Sequence, residues 1–188
     1  MEKTAKLFVF SAPSGSGKTT IIRKILDEYN ELVFSISATT RKRRGAEIEG
    51  KDYFFISEDE FLKKIENDEF IEWEKFYDYY YGTLKRFVEN QLQIHHSVLL
   101  EVDVKGALKI KEKYPNSILI FIAPPNKEVL KERLINRKTE TKEDLLKRIK
   151  RAEMELEYKD KFDYVVINNE LNDAIEQVKK IINKEINS

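Results

Sequence analysis

Lys18 and Thr19 close the run Ala12-Pro13-Ser14-Gly15-Ser16-Gly17, which follows the apolar stretch Leu7-Phe8-Val9-Phe10-Ser11 and leads through Thr20 into an amphipathic segment. Strand, glycine loop and helix in that order form a phosphate cradle, because backbone N–H groups and a helix N-terminus converge on one anion. In that setting Lys18 reaches the β- and γ-phosphates of a nucleotide, and the Thr19 hydroxyl sits on Mg2+. The strict pattern G-x-x-x-x-G-K-[ST] has Gly where this chain has Ala12. Alanine is penalised at positive φ, so the cradle requires negative φ at residue 12. Taken without the rest of the chain, the run also fits a plain glycine-rich turn.

The flanking elements decide between those readings. Ile21, Ile22, Ile25, Leu26 and Tyr29 recur at helical spacing after the loop. Leu32 to Ser37 reads as a short buried strand. Ala38 to Gly45 is polar and without period, with Arg41, Lys42, Arg43 and Arg44 adjacent. Such a cluster is a solvated patch or, with a strand fixing its origin, an anion site. Between Glu47 and Phe87 an aromatic-rich lobe of antiparallel character interrupts the pattern. It holds a strand at Tyr53–Ile56, a capping box at Ser57-Glu58-Asp59-Glu60, partial alternation over Phe70–Phe76, and Tyr77 to Thr83.

A helix is expected over Leu84–Gln93, and alternation then resumes. The expected elements are a strand at Val98–Asp103, a helix from Gly106 to Tyr114 stopped by Pro115, and an apolar strand over Ser117–Ile122. A helix capped by Asn126 runs to Asn136, and a long charged helix extends from about Thr141 to Tyr158. Tyr164–Asn168 is the last strand and Leu171–Ile186 the last helix. Strands alternating with helices predict a doubly wound parallel α/β sheet, in which ligands bind beyond the carboxyl ends of the strands. Ser14, Ser37, Asp103, Pro124 and Asn168 all stand at such ends, which favours the phosphate cradle.

Composition sets bounds on the rest. A length of 188 residues suits one large domain or a core with inserted lobes. Lys+Arg and Asp+Glu are both 34, so net charge gives no argument for nucleic acid or an anionic membrane, and any anion site is local. Cysteine is absent, which excludes disulfides and thiolate metal sites. No apolar run approaches a membrane span. A cytoplasmic protein without nucleic-acid or membrane partners is the expectation.

Beyond the loop, several blocks resemble guanylate kinase, over essentially the whole chain. They are Ser-Ala-Thr-Thr-Arg-Lys-Arg-Arg at 37–44, Glu-Gly-Lys-Asp-Tyr-Phe-Phe at 49–55 and Glu-Phe-Ile-Glu-Trp at 69–73. Tyr-Tyr-Gly-Thr at 80–83, Val-Asp-Val-Lys-Gly at 102–106 and Phe-Ile-Ala-Pro-Pro at 121–125 continue the series. The resemblance implies phosphorylation of GMP, and of dGMP, by ATP with Mg2+. It implies a P-loop core (1–37, 87–136 and 151–188), an inserted mixed α/β GMP-binding lobe (38–86) and a helical lid (137–150).

Residue by residue, the resemblance makes Glu72 the carboxylate that accepts from guanine N1–H and N2–H2, with Ser37 and Thr83 completing the reading of the base. Adenine would leave that carboxylate charged and unpaired, at a cost of about 1–3 kcal/mol or more. Arg41 and Arg44 match the clamp on the GMP phosphate, with Tyr53 and Tyr81 donating to the same oxygens. Asp103 is implied to assist Mg2+ through water and to touch GMP. Glu101 stands in the preceding acidic position, often Asp in the family. Arg133, Arg137 and Arg148 match the lid-side arginines that close over the transferring group. Asn168 resembles the residue beside the adenine of ATP. Tyr77, Tyr79 and Tyr80 are read as packing residues, Lys42 and Arg43 as solvated, and His95 and His96 as loop residues. Arg148 and Arg151 also fit outward positions on a charged helix.

Two other readings stand beside the enzyme: a guanylate-kinase-like interaction module without catalysis, and a kinase of the same fold with another substrate. Lys18, Thr19, Arg137 and Arg148 count against the first, and Glu72 with Ser37 against the second.

Overall fold

In the first strand, β1 (Leu7–Ser11), every residue is buried, because neither face of it meets solvent. Phe8 and Phe10 pack on one side of the sheet with Ile21, Ile22 and Ile25, while Leu7 and Val9 pack on the other with Leu100, Ala107 and Ile110. This two-sided burial is the signature of a parallel sheet covered by helices. The computed structural model describes residues 5–76, 78–136 and 142–188.

The parallel sheet has the order β2-β7-β1-β8-β9, with β2 Leu32–Phe34, β7 Ser97–Glu101, β8 Ile118–Ala123 and β9 Tyr164–Ile167. Helices α1 (Lys18–Glu28) and α7 (Leu171–Ile186) cover one face, and α4 (Val104–Lys113) covers the other. Ala174, Ile175, Val178, Ile182 and Ile186 form the buried stripe of α7, at the spacing that one helix face requires. Helix α3 (Lys85–Gln93) buries Val88 beneath β7, and α5 (Lys127–Ile135) packs on α6 (Lys142–Leu156) through Leu130, Leu134 and Ala152. Among the described residues, no helix is long and apolar enough to cross a membrane.

A second, four-stranded sheet has the order β4-β3-β6-β5, with β3 Ala38–Thr39, β4 Phe54–Phe55, β5 Phe70–Phe76 and β6 Tyr79–Leu84. Helix α2 (Glu58–Glu66) closes its small core of Ala38, Phe61 and Phe70. The expected cap is present, since Ser57 Oγ accepts from Glu60 N at 3.1 Å. A bulge shifts the register of β5 between Phe70 and Glu72. The additional residue lets three consecutive side chains reach three destinations. Phe70 enters the core of this sheet, Ile71 enters that of the parallel sheet, and Glu72 lies opposite Thr83.

Several element boundaries differ from the sequence reading. Leu32 to Ser37 is not one strand: β2 ends at Phe34, and Ala38 begins a strand of the other sheet. A hydrophobic run has no signal for a change of sheet. The strand expected to end at Asp103 ends at Glu101, and α4 starts at Val104 rather than Gly106. Asp103 is the reason, because its Oδ1 accepts from Gly106 N at 2.7 Å and caps the helix. The charged helix ends at Leu156, two residues short of Tyr158, and position 150 lies inside it.

Candidate active site

The loop between β1 and α1 is held from below. Gly15 and Gly17 have φ of 91° and 85°, values that only glycine adopts cheaply. Asn168 Nδ2 donates to Ser16 O at 2.7 Å, and a Cβ on Gly17 would stand 2.4 Å from that nitrogen. Arg133 Nη2 in turn donates to Asn168 O at 3.2 Å. Ala12 is absent from the positive-φ residues, as the sequence required, and its methyl joins the core against Phe10 and Ile21. Gly17 caps α1 without a side chain, so the first N–H groups of that helix remain available to an anion.

Lys18 and Thr19 meet the end of β7. Lys18 Nζ donates to Val102 O at 2.9 Å and lies 3.8 Å from Glu101 Oε1. Thr19 Oγ1 donates to the same Glu101 oxygen at 2.7 Å. Hydroxyl and carboxylates form a hard-oxygen set suited to Mg2+. The described residues hold no group of three or more acidic, His or Cys side chains placed to bind a metal.

On the opposite wall, Glu72 is 7 % exposed and Thr83 1 %. Thr83 Oγ1 donates to Glu72 Oε1 at 2.7 Å, a pairing that the bulge in β5 creates by placing the two residues opposite each other. Burial pushes the Glu72 carboxyl up to about 7, and the nearby Asp103 charge adds to this. The Thr83 bond and Lys109 pull the other way. Glu72 Oε2 lies against α4 so closely that a Cβ on Gly106 would be 2.7 Å from it.

The basic loop carries an anchored guanidinium. Arg41 is buried, with Nη2 2.7 Å from Glu47 Oε1 and Nη1 3.0 Å from Oε2. It also lies over the rings of Tyr53 and Phe55, at 5.4 and 5.7 Å from their centroids. Tyr53 and Tyr81 meet edge to face with centroids 6.1 Å apart, and burial pushes the Tyr53 phenol up to about 12. The Arg41 guanidinium beside Glu47 lowers that carboxyl below its ordinary value.

These walls enclose one cleft of about 970 Å³. Residues 12–20, Ser37, Arg41, Arg44, Tyr53, Glu72, Tyr81, Glu101, Asp103 and Arg148 line it together. Thr83 contributes through its bond to Glu72. Two of the expected residues are placed differently. Asn168 is 5 % exposed, with its amide on the loop, and Arg133 supports Asn168; neither is among the residues that line the cleft. Arg137 and Tyr77 lie outside the described residues. Lys42 and Arg43 are exposed, as expected, and His95 follows α3 in a loop with φ of 62°.

Other lining residues escaped the sequence reading. Tyr79, expected to pack, is 40 % exposed and lines the cleft. Strand alternation was the available signal, since Tyr79 and Tyr81 share a face of β6. Asp144, Arg148, Arg151, Ala152 and Glu155 line it from α6, at the spacing of one helix face, so Arg148 itself pointed to Arg151. Arg151 donates to Asp103 Oδ2 at 3.1 Å and to Glu155 Oε1 at 2.7 Å. Glu47 had no local signal.

Comparison with known proteins gives one family. The family model described as guanylate kinase matches residues 4–185. A guanylate kinase of Thermotoga maritima is 47% identical over 180 residues, 96% of this chain and 87% of the relative. One from Caldanaerobacter subterraneus subsp. tengcongensis is 48% identical over 97% of this chain and 88% of its own length. The crystal structure of guanylate kinase from Anaplasma phagocytophilum superposes with a TM-score of 0.82 at 30% identity, covering 98% of this chain and 88% of that one.

Proposed function

The chain belongs to the guanylate kinase family, and from that premise we propose how its residues divide the work of the family's reaction. That reaction, which this protein carries out, transfers the terminal phosphoryl group of ATP to GMP and yields GDP and ADP. The observation that carries the residue assignment is the buried pair of Glu72 and Thr83, facing the phosphate loop across a cleft large enough for two nucleotides.

Glu72 reads the acceptor base by accepting from N1–H and N2–H2 of guanine, with Thr83 holding one of its oxygens and Ser37 completing the reading from the same cleft. Adenine offers neither donor pair, so its binding would strand a buried carboxylate. Arg41, Arg44, Tyr53 and Tyr81 hold the GMP phosphate, with Glu47 and the flanking rings fixing the Arg41 fork. These contacts involve base and phosphate rather than the 2′-hydroxyl, so dGMP serves as a second acceptor.

ATP takes the other half of the cleft. Residues 12–20 offer backbone N–H groups to its phosphates, and Lys18 exchanges the Val102 carbonyl for them. Thr19 and, through water, Asp103 would hold Mg2+, with Glu101 beside them, and the ion would supply positive charge to the triphosphate. Arg148 from α6, with Arg137, offsets charge on the transferring oxygens, while Arg133 supports the phosphate loop through Asn168 O. No protein base is needed, because in-line transfer rests on positioning and electrostatics. We divide the chain accordingly into a core, an acceptor lobe at 38–86 and a lid at 137–150. Its lack of cysteine is in keeping with a cytoplasmic setting.

A coupled ADP-release assay with ATP, Mg2+ and each of GMP, dGMP, AMP, UMP and CMP tests this. Turnover with GMP and dGMP alone is expected. Equal use of AMP would remove the role given to Glu72.

A further inference from the structure

Arg151 is the meeting point of three parts of the molecule. It projects from α6, and its Nε donates to Glu155 Oε1 at 2.7 Å one turn along the same helix. Its Nη2 donates at 3.1 Å to Oδ2 of Asp103, whose other oxygen is fixed by Gly106 N at the start of α4. Its guanidinium carbon lies 4.0 Å from the ring centroid of Phe76, the last residue of β5. A planar guanidinium can stack on a ring with its face and hydrogen-bond through its edge, which an ammonium cannot do at once. Both partners are anchored in their own elements. One side chain thus joins the helix of Arg148, the core and the acceptor lobe.

We propose that Arg151 is a positioning residue, which holds the acceptor lobe and α6 in the arrangement that binds GMP. This rests on the reading of the cleft as a GMP and ATP site. The apparent affinity for a substrate scales with the fraction of protein already in the competent arrangement. Arg151 raises that fraction, so it acts on GMP binding through the lobe, without touching the reacting atoms.

The test combines calorimetric titration of GMP with steady-state kinetics. For Arg151→Ala the GMP Kd is expected to rise about three- to tenfold. Phe76→Leu gives a similar rise, and adding Arg151→Ala to it gives little more, since both remove one contact. Arg151→Lys, which retains a cation near the ring and Asp103, recovers part of the loss. An unchanged Kd, a lower Kd, a fall in kcat at unchanged Kd, or fully additive effects of the two substitutions would each overturn the proposal. Parent protein that turns over no GMP would instead overturn the underlying reading of the cleft. An active parent beside an Arg151→Ala variant of unchanged Kd sinks only the role of Arg151.

Discussion

The Thr83 hydroxyl donates to Glu72 Oε1 at 2.7 Å, in a site so buried that the carboxyl is pushed up to about 7. A raised folded-state value means that the folded chain binds this proton more tightly than the unfolded chain does. The sign is therefore opposite to that of a salt-bridged carboxylate. Stability from this group is fully present below the ordinary 4.5 and is lost as pH rises towards 7, by on the order of 3 kcal/mol. Guanine recognition needs the charged form, so kcat/KM for GMP should fall below about pH 7. Glu72→Gln keeps an acceptor for Thr83 but cannot accept from both guanine donors. Its melting temperature should exceed the parent's at pH 8 and match it at pH 4, while GMP use drops at least about a hundredfold. Thermal melts at the two pH values, with kinetics, check both halves.

Gly106→Ala separates folding from specificity. A methyl at this helical position favours the helix by about 1 kcal/mol, yet it would stand 2.7 Å from Glu72 Oε2. The expected outcome is a folded protein whose KM for GMP rises about tenfold or more, with KM for ATP unchanged. Separate titration of the two substrates reads the difference.

Lys18→Ala should abolish most turnover, by about a hundredfold or more, and leave the fold intact. It removes the bond to Val102 O, at a cost of about 1 kcal/mol, and the ion pair with Glu101 at 3.8 Å. Circular dichroism melts beside the ADP-release rate test this. Unfolding in place of inactivity would make the lysine structural.

Asn168→Ala bears on the floor of the phosphate loop. With the amide on Ser16 O and the residue 5 % exposed, its loss strands a buried carbonyl and costs about 1–3 kcal/mol. The KM for ATP should rise together with that for any other nucleoside triphosphate. A change confined to ATP over GTP would place Asn168 on the base instead.

Much of the molecule was legible in its residues, for particular physical reasons. The phosphate loop showed itself because glycines, a lysine and a hydroxyl cluster within nine positions, and Ala12 obeyed the sign of φ demanded of it. The fully buried strands β1 and β8 were plain from their unbroken apolar runs. Less legible was everything produced by contact across the fold. The break between β2 and β3 lies inside one hydrophobic stretch, and Asp103 caps a helix with the residue expected to serve the substrate. Asn168 stands at a strand end, where ligand contacts gather, but faces the underside of the loop. Arg151 could be placed on the cleft by helical spacing, whereas its stacking on Phe76 joins residues 75 positions apart.

The bulge in β5 has a mechanical consequence. Ile71 is rooted in the packing of the parallel sheet, while its neighbour Phe70 is rooted in that of the smaller sheet. One residue before Glu72 the chain is therefore anchored in both cores at once, so the carboxylate we assign to guanine is tied to the parallel sheet as firmly as to its own.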